Sequence, residues 1–296
     1  MFNKKLKLGN AKLDSDTILF FLSTILFITF FEFFGKNISN NALSIILITF
    51  IVFFGLPHGA LDTLIAKKFN LYKNFYQFLI FNFVYISLAL IIFMIWQIIP
   101  TFSLAIFLII SGYHFSEDWD SYNIDKIKKL ALGFSIINLP VLFNMDLVEE
   151  IYYYITSSDY VYSFLSFQLA ISYLNLLLLL YILLSKTMSI NIFLQIVLLI
   201  LSAFILDPIP FFICYFCFFH SLKNFKESKI LLLNINKRKI TFAAFINTLL
   251  SIILGVIIFF LIYSDFNLKN ITSLIFIGLA ALTVPHMLLR ILIRGK

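Results

Sequence analysis

The stretch ITFAAFINTLLSIILGVIIFFLIYS, residues 240–264, runs for 25 positions without a charged side chain. At 1.5 Å per residue a helix of that length covers about 37 Å, more than the roughly 30 Å hydrocarbon core of a bilayer. Lys237, Arg238 and Lys239 stand immediately before it and Asp265 immediately after it. A membrane-spanning helix with a basic cytoplasmic end explains all of these features, and the rest of the chain repeats the pattern.

Of the 296 residues, 61% are apolar, 18% aromatic and 12% charged. Soluble domains carry about 25% charged residues, so a soluble globular enzyme and a disordered chain are both excluded. Apolar runs near 20 residues predict ten spans, at roughly 17–34, 42–66, 76–99, 101–119, 131–146, 160–184, 189–206, 209–224, 240–264 and 271–292. The fifth is short and holds Pro140, which predicts a kink or partial insertion. The first lacks an A-x-A-like cleavage site and is read as a retained helix, not a secretory signal.

With the N-terminus in the cytoplasm, the inner segments hold all but two of the 22 basic residues. They carry Lys4, Lys5, Lys7 and Lys12; Lys67, Lys68 and Lys73; Lys126, Lys128 and Lys129; and Lys186. The last two are Lys223 to Lys239, with six basic residues, and the C-terminal Arg290, Arg294 and Lys296. Only Lys36 and Lys269 fall outside, where Asp146, Glu149, Glu150, Asp159, Asp207 and Asp265 collect. The expected fold is therefore all-α: one polytopic transmembrane bundle over residues 1–296, about ten helices, both termini cytoplasmic, in the cell inner membrane. The net charge of +7 follows from topology and needs no nucleic-acid partner. Cys214 and Cys217 lie inside an apolar run and read as packing residues.

The chain has four histidines, His58, His114, His220 and His286, one each in the second, fourth, eighth and tenth spans. All four spans run from outside to inside. Counted from the span starts, the four lie within five residues of one depth, about 8 Å along a helix. A single histidine in a span is often only hydrogen-bonded to a neighbouring helix. Four at one depth, with none in the loops, point instead to a metal, since polar groups in the membrane are costly and imidazole suits iron, copper, nickel or zinc. Iron comes first, because it extends to five or six ligands and leaves room for dioxygen. Asp62, one turn after His58, and Glu117, three residues after His114, are placed to accept the other imidazole N–H. Glu32 is a further candidate, while Asp118 and Asp120 read as solvated. A bis-histidine haem protein and a proton-coupled transporter each fit part of this pattern.

The segments Gly55-Leu56-Pro57-His58-Gly59-Ala60-Leu61-Asp62, Tyr113-His114-Phe115, Tyr215-Phe216-Cys217-Phe218-Phe219-His220-Ser221 and Pro285-His286-Met287 resemble the Brp/Blh family. These are membrane β-carotene 15,15′-dioxygenases of retinal-using prokaryotes, and the resemblance covers the second to tenth spans. It implies non-haem Fe(2+), cleavage of the central double bond of β-carotene by dioxygen, and supply of retinal to a microbial rhodopsin. Family members often carry a second histidine one turn after the first in the third block. Here that position is Asn224, so His286 is expected to complete the metal set, with Asn224 beside it. No conventional catalytic acid or base is implied. Phe54, Tyr113, Phe115, Trp119, Tyr215 and Phe219, close in sequence to the histidines, are expected to line an apolar substrate tunnel, though ordinary packing would use the same residues.

Overall fold

The computed structural model describes residues 13–185 and 188–294, with the backbone alone of His58. In chain order its helices are α1 (Ser15–Phe34), α2 (Asn40–Phe50), α3 (Asp62–Lys68), α4 (Phe75–Ile98), α5 (Pro100–Ser116), α6 (Lys126–Phe143), α7 (Met145–Thr156), α8 (Val161–Leu183), α9 (Ile190–Ile205), α10 (Pro208–Tyr215), α11 (Leu222–Leu231), α12 (Lys237–Ile262) and α13 (Leu268–Arg294). There is no strand among the described residues. Lys4, Lys5, Lys7, Lys12, Lys186 and Lys296 lie outside the described residues.

Local chemistry explains where these helices begin. Asp14, Ser39, Asn74, Asp125, Ser189 and Asn236 each accept a backbone N–H from the first turn of α1, α2, α4, α6, α9 and α12. Such caps satisfy donors that a helix start leaves open. Pro100 and Pro208 open α5 and α10, where a missing N–H is harmless.

The ten predicted stretches are mainly helical, but the second breaks at residues 59–61 and the fifth at Asn144. Five helical segments, residues 15–37 and α4, α8, α12 and α13, are long and apolar enough to cross a membrane. The pair α6–α7, bent by 112° at its break, counts as a sixth if read as one broken span. Pro140 stays inside α6, and the break falls at Asn144, whose side chain donates to the carbonyls of Ala203 at 3.2 Å and Leu206 at 3.4 Å. The expected outer loop after residue 146 is instead helix α7, held by the buried Val148, Tyr152 and Ile155.

The second and eighth spans are interrupted. After α2 come a π-helical turn over Ile51–Gly55 and a 3-10 turn over Leu56–His58. Between α10 and α11 lies a second π turn, Phe216–Ser221. This eighth span forms the axis of the bundle: Ile213, Cys214, Tyr215, Cys217, Phe219 and His220 are at most 1% exposed. Helices α1, α2, α6 and α9 pack around it. Burial on every side is a different environment from the lipid face and tolerates a short, irregular helix.

One close approach sets the position of α5. A Cβ on Gly133 of α6 would lie 2.3 Å from the Gly112 carbonyl oxygen and 2.4 Å from the Ser116 nitrogen. Only glycine lets α6 reach the backbone of α5 at the turn that carries His114.

Candidate metal centre

His220 enters the centre of the bundle from the second π turn, and Pro57-His58 follows directly on the first. The two turns meet. A Cβ on Gly55 would come within 2.9 Å of the Phe216 ring, and the Cys217 thiol donates to the Phe50 carbonyl oxygen at 3.4 Å. π turns are uncommon and concentrate at functional sites. Phe216 in turn stacks on His220, with ring centroids 5.5 Å apart and planes 20° from parallel.

Three imidazoles converge from α5, the π turn and α13. The His114 ring centroid lies 4.8 Å from that of His220 and 5.3 Å from that of His286, edge to face in both cases. All three residues are at least 96% buried. The side chain of His58 lies outside the described residues, but its neighbour Gly59 has its Cβ position 3.9 Å from Nδ1 of His286. The backbone of that turn therefore borders the same cluster.

Each ring is oriented by its own carboxylate. His114 Nδ1 donates to Glu117 Oε2 at 3.2 Å, His220 Nδ1 to Asp118 at 3.0 Å, and His286 Nδ1 to Asp62 Oδ2 at 2.8 Å. The carboxylates are themselves held. Tyr85 donates to Asp62 at 2.8 Å, Tyr215 donates to Asp118 at 2.6 Å, and Arg294 pairs with Glu117 at 2.9 Å. A proton kept on Nδ1 leaves the lone pair on Nε2. This is the tautomer a metal-binding histidine needs, and carboxylate support of that kind is the usual arrangement around one.

Among the described residues, no three His, Cys, Asp or Glu side chains form a metal-binding group as they stand. The ring spacing nevertheless fits imidazoles that share one ion. With a metal–nitrogen bond of about 2.1 Å, ring centroids fall about 4.6 Å apart at a right angle and about 5.3 Å apart at the tetrahedral angle. His114 Nε2 is also buried without a hydrogen-bond partner, which a ligand would satisfy. The donor set suits a borderline divalent cation.

Residues 49–293, which include all four histidines, match the family described as Beta-carotene 15,15'-dioxygenase. The chain belongs to that family. One relative, a Beta-carotene 15,15'-dioxygenase of uncultured marine bacterium 66A03, is 31% identical over 260 residues, covering 81% of this chain and 90% of that protein. No solved structure matches.

In this member of the dioxygenase family the carboxylates are shared out differently from the sequence expectation. Asp62 bonds His286 on α13. The 3-10 turn and the loop after it break the helix between residues 58 and 62, so a one-turn spacing no longer implies one face. Asp118, expected to be solvated, is 2% exposed and is the partner of His220. Its only sequence signal was its place beside Glu117, four residues beyond His114, where the chain leaves α5 through a 3-10 turn. Tyr85 had no signal beyond a hydroxyl inside an apolar helix. Asn224 donates to Asp118 Oδ1 at 3.1 Å and to the His220 carbonyl at 3.0 Å, and accepts from Arg290.

The six aromatics expected along a tunnel take varied places. Phe115 packs on His220 at 5.0 Å and borders a small cavity of about 90 Å³ beside Phe211, Phe212 and Phe276. Tyr215 holds Asp118, and Trp119 donates to Gln195 at 2.8 Å in a fully buried site. Phe219 tilts against Tyr215 and Trp119. Phe54 stacks on Phe50, while Tyr113 is 38% exposed at the periphery. A larger apolar cavity of about 370 Å³ lies elsewhere, between α2, α4, α12 and α13, and none of the six borders it.

Proposed function

We propose that this chain cleaves the central 15,15′ double bond of β-carotene with dioxygen and releases two molecules of retinal. In this reading a non-haem Fe(2+) is held by His58, His114, His220 and His286. The observation that carries it is the meeting of three buried imidazoles, each with Nδ1 committed to its own carboxylate, in a chain of this family.

When bound, the iron would supply the site at which dioxygen is activated. The residues around it supply orientation and exclusion of water. Glu117, Asp118 and Asp62 fix the tautomer and tilt of three rings, and Arg294, Tyr215 and Tyr85 fix the carboxylates. Phe216 and Tyr215 stack on His220, and Phe115 meets it nearly at right angles, so aromatic rings enclose the imidazole. The reaction breaks one C=C bond and forms two C=O bonds, so both oxygen atoms end in the aldehydes. No proton is gained or lost overall, which fits a centre with no separate acid or base.

The large apolar surface and the five long apolar helices support insertion in a membrane. Ten crossings of the cell inner membrane with both termini in the cytoplasm remain the reading of the basic-residue distribution. Retinal leaving such a site would remain in the bilayer, where a microbial rhodopsin could collect it. Expression in β-carotene-producing cells tests the reading. Loss of orange pigment with formation of retinal is expected, together with stoichiometric iron in purified protein. Long apocarotenals in place of retinal would show that another bond is cut, and an unchanged carotenoid pool with iron present would overturn the activity.

A further inference from the structure

The 370 Å³ cavity is set apart by what surrounds it. Its wall is built from α2 with the following π turn, α4, α12 and α13, and Ser251 is its one polar side chain. The hydroxyl of Ser251 is spent on the Asn247 carbonyl at 3.0 Å. An occupant therefore meets no free donor and, at most, the Ser251 oxygen as an acceptor, which favours an apolar ligand over one with a polar head. The volume falls in the range of pockets that enclose small molecules, about 300–1,000 Å³.

Helix α12 explains why the space exists. Only Ile240 and Ala244, near its N-terminus, are buried, and Asn247 ties it to the Ala60 carbonyl at 2.8 Å and to Thr63 Oγ1 at 3.0 Å. Beyond that anchor the helix stands away from its neighbours. Gly255 on α12 and Gly278 on α13 both line the cavity, and a Cβ on either would meet nothing within 4 Å. Phe260, also in the wall, is 77% exposed, so the cavity is bordered there by a residue on the outside of the bundle.

The inner end lies close to the histidines. Leu56, two residues before His58, and Leu282, one turn before His286, are both in the wall. From Leu282 to Ile271 the wall follows α13 for about 16 Å at 1.5 Å per residue. The cavity is thus an elongated, largely apolar slot with one end at the lipid face and the other a turn from the imidazole cluster.

We infer that this slot between α4, α12 and α13 is the door and seat for one half of the polyene, admitted sideways from the bilayer with its central bond brought to the histidines. The inference rests on the proposed cleavage of β-carotene. It assigns substrate contact to α12 and α13 and to the two glycines that keep the slot open.

Gly255→Phe and Gly278→Phe test it, because the open space at both Cβ positions lets the chain fold around the added ring. Leu261→Phe, on the exposed side of α12 and outside the cavity wall, serves as the control. Three quantities are measured in each protein: iron content, β-carotene co-purified from carotene-producing cells, and kcat/KM for retinal formation. Both glycine variants are expected to keep iron but lose co-purified carotene and drop kcat/KM by about tenfold or more, the scale on which a filled apolar pocket discriminates. Leu261→Phe is expected to match the parent. If the glycine variants cleave β-carotene as the parent does, the slot holds only lipid chains and the inference falls while the activity stands. If the parent makes no retinal yet carotene is retained and then lost in the glycine variants, the activity falls and the slot stands. Carotene retained equally by all four proteins overturns the slot.

Discussion

The Asp118 carboxylate accepts the Nδ1–H of His220 at 3.0 Å while a second bond, from the Tyr215 hydroxyl at 2.6 Å, fixes its own position. Tyr85, Asp62 and His286 repeat this order of tyrosine, aspartate and histidine on the other side of the cluster. Two relays of the same composition thus orient rings delivered by different helices.

Replacing Asp118 with Asn keeps the size but removes the acceptor charge that holds the His220 proton on Nδ1. Iron affinity is expected to fall about 10–100-fold, the usual effect of losing a carboxylate behind a metal-bound histidine. Asp159→Asn, in the exposed segment before α8 and far from the cluster, should leave it unchanged. Metal titration of the two proteins side by side checks the difference.

His286→Ala should abolish iron binding and retinal formation. Asn224→Ala should retain iron with reduced affinity, because it removes only the bonds to Asp118, the His220 carbonyl and Arg290. A neutral hydrogen bond contributes about 0.5–1.5 kcal/mol, far less than a metal ligand. Iron retained by His286→Ala and lost by Asn224→Ala would reverse the ligand assignment.

Tyr85→Phe deletes one hydroxyl from the Asp62 relay and leaves the packing in place. Hydrogen bonds to charged groups contribute about 1.5–3 kcal/mol, so a fall of roughly tenfold or more in iron affinity is expected. Added iron should restore the rate, which separates a weakened site from a misfolded one.

Gly133→Ala places a methyl group on the backbone of α5. The contacts at 2.3 and 2.4 Å are with main-chain atoms that cannot rotate away, so α5 must shift and carry His114 with it. Overpacking of this kind costs about 1–3 kcal/mol. A lower Tm together with lost iron is the expected result. Gly278→Ala, at an open position, should change neither.

Asp14 gives the fold an acid-sensitive point outside the spans. Burial works to raise its pKa, but hydrogen bonds from Thr17 and Tyr122, with the Lys223 charge, outweigh it and hold the group below its usual 3.8. A depressed carboxylate contributes stability that is complete above the unfolded value and is lost as pH falls through the lower folded value. Lowering the pH from about 5 to about 3 should therefore reduce Tm more in the parent than in Asp14→Asn.

The helices were legible because lipid and core ask for the same long apolar runs, and caps such as Asn74 and Asp125 mark their starts. The convergence of His114, His220 and His286 was legible from depth alone. The partner of each ring was legible only where the helical backbone runs on without a break, as it does from His114 at the end of α5 into the 3-10 turn that begins at Glu117. Asp62 is separated from His58 by a turn, and Asp118 reaches across to another segment, so neither pairing follows from local spacing. The interruptions at residues 51–58 and 216–221 were invisible for a related reason. Their hydrophobic content is continuous, and only the contact between Gly55 and Phe216 reveals why the backbone departs from an α-helix there.

Those two π turns make the centre a matter of phase. An ordinary helix advances about 100° per residue, and a π turn carries one residue more than the α-helical count before the pattern resumes. Upstream and downstream faces of the eighth span are therefore out of step, one keyed to the packing around α10 and the other to the imidazole layer. Deleting a single residue from the 216–221 turn would bring them back into step and swing the downstream face by about 100°. The bundle would keep its length and its apolar character, and the histidine would turn away from His114 and His286 toward a neighbouring helix.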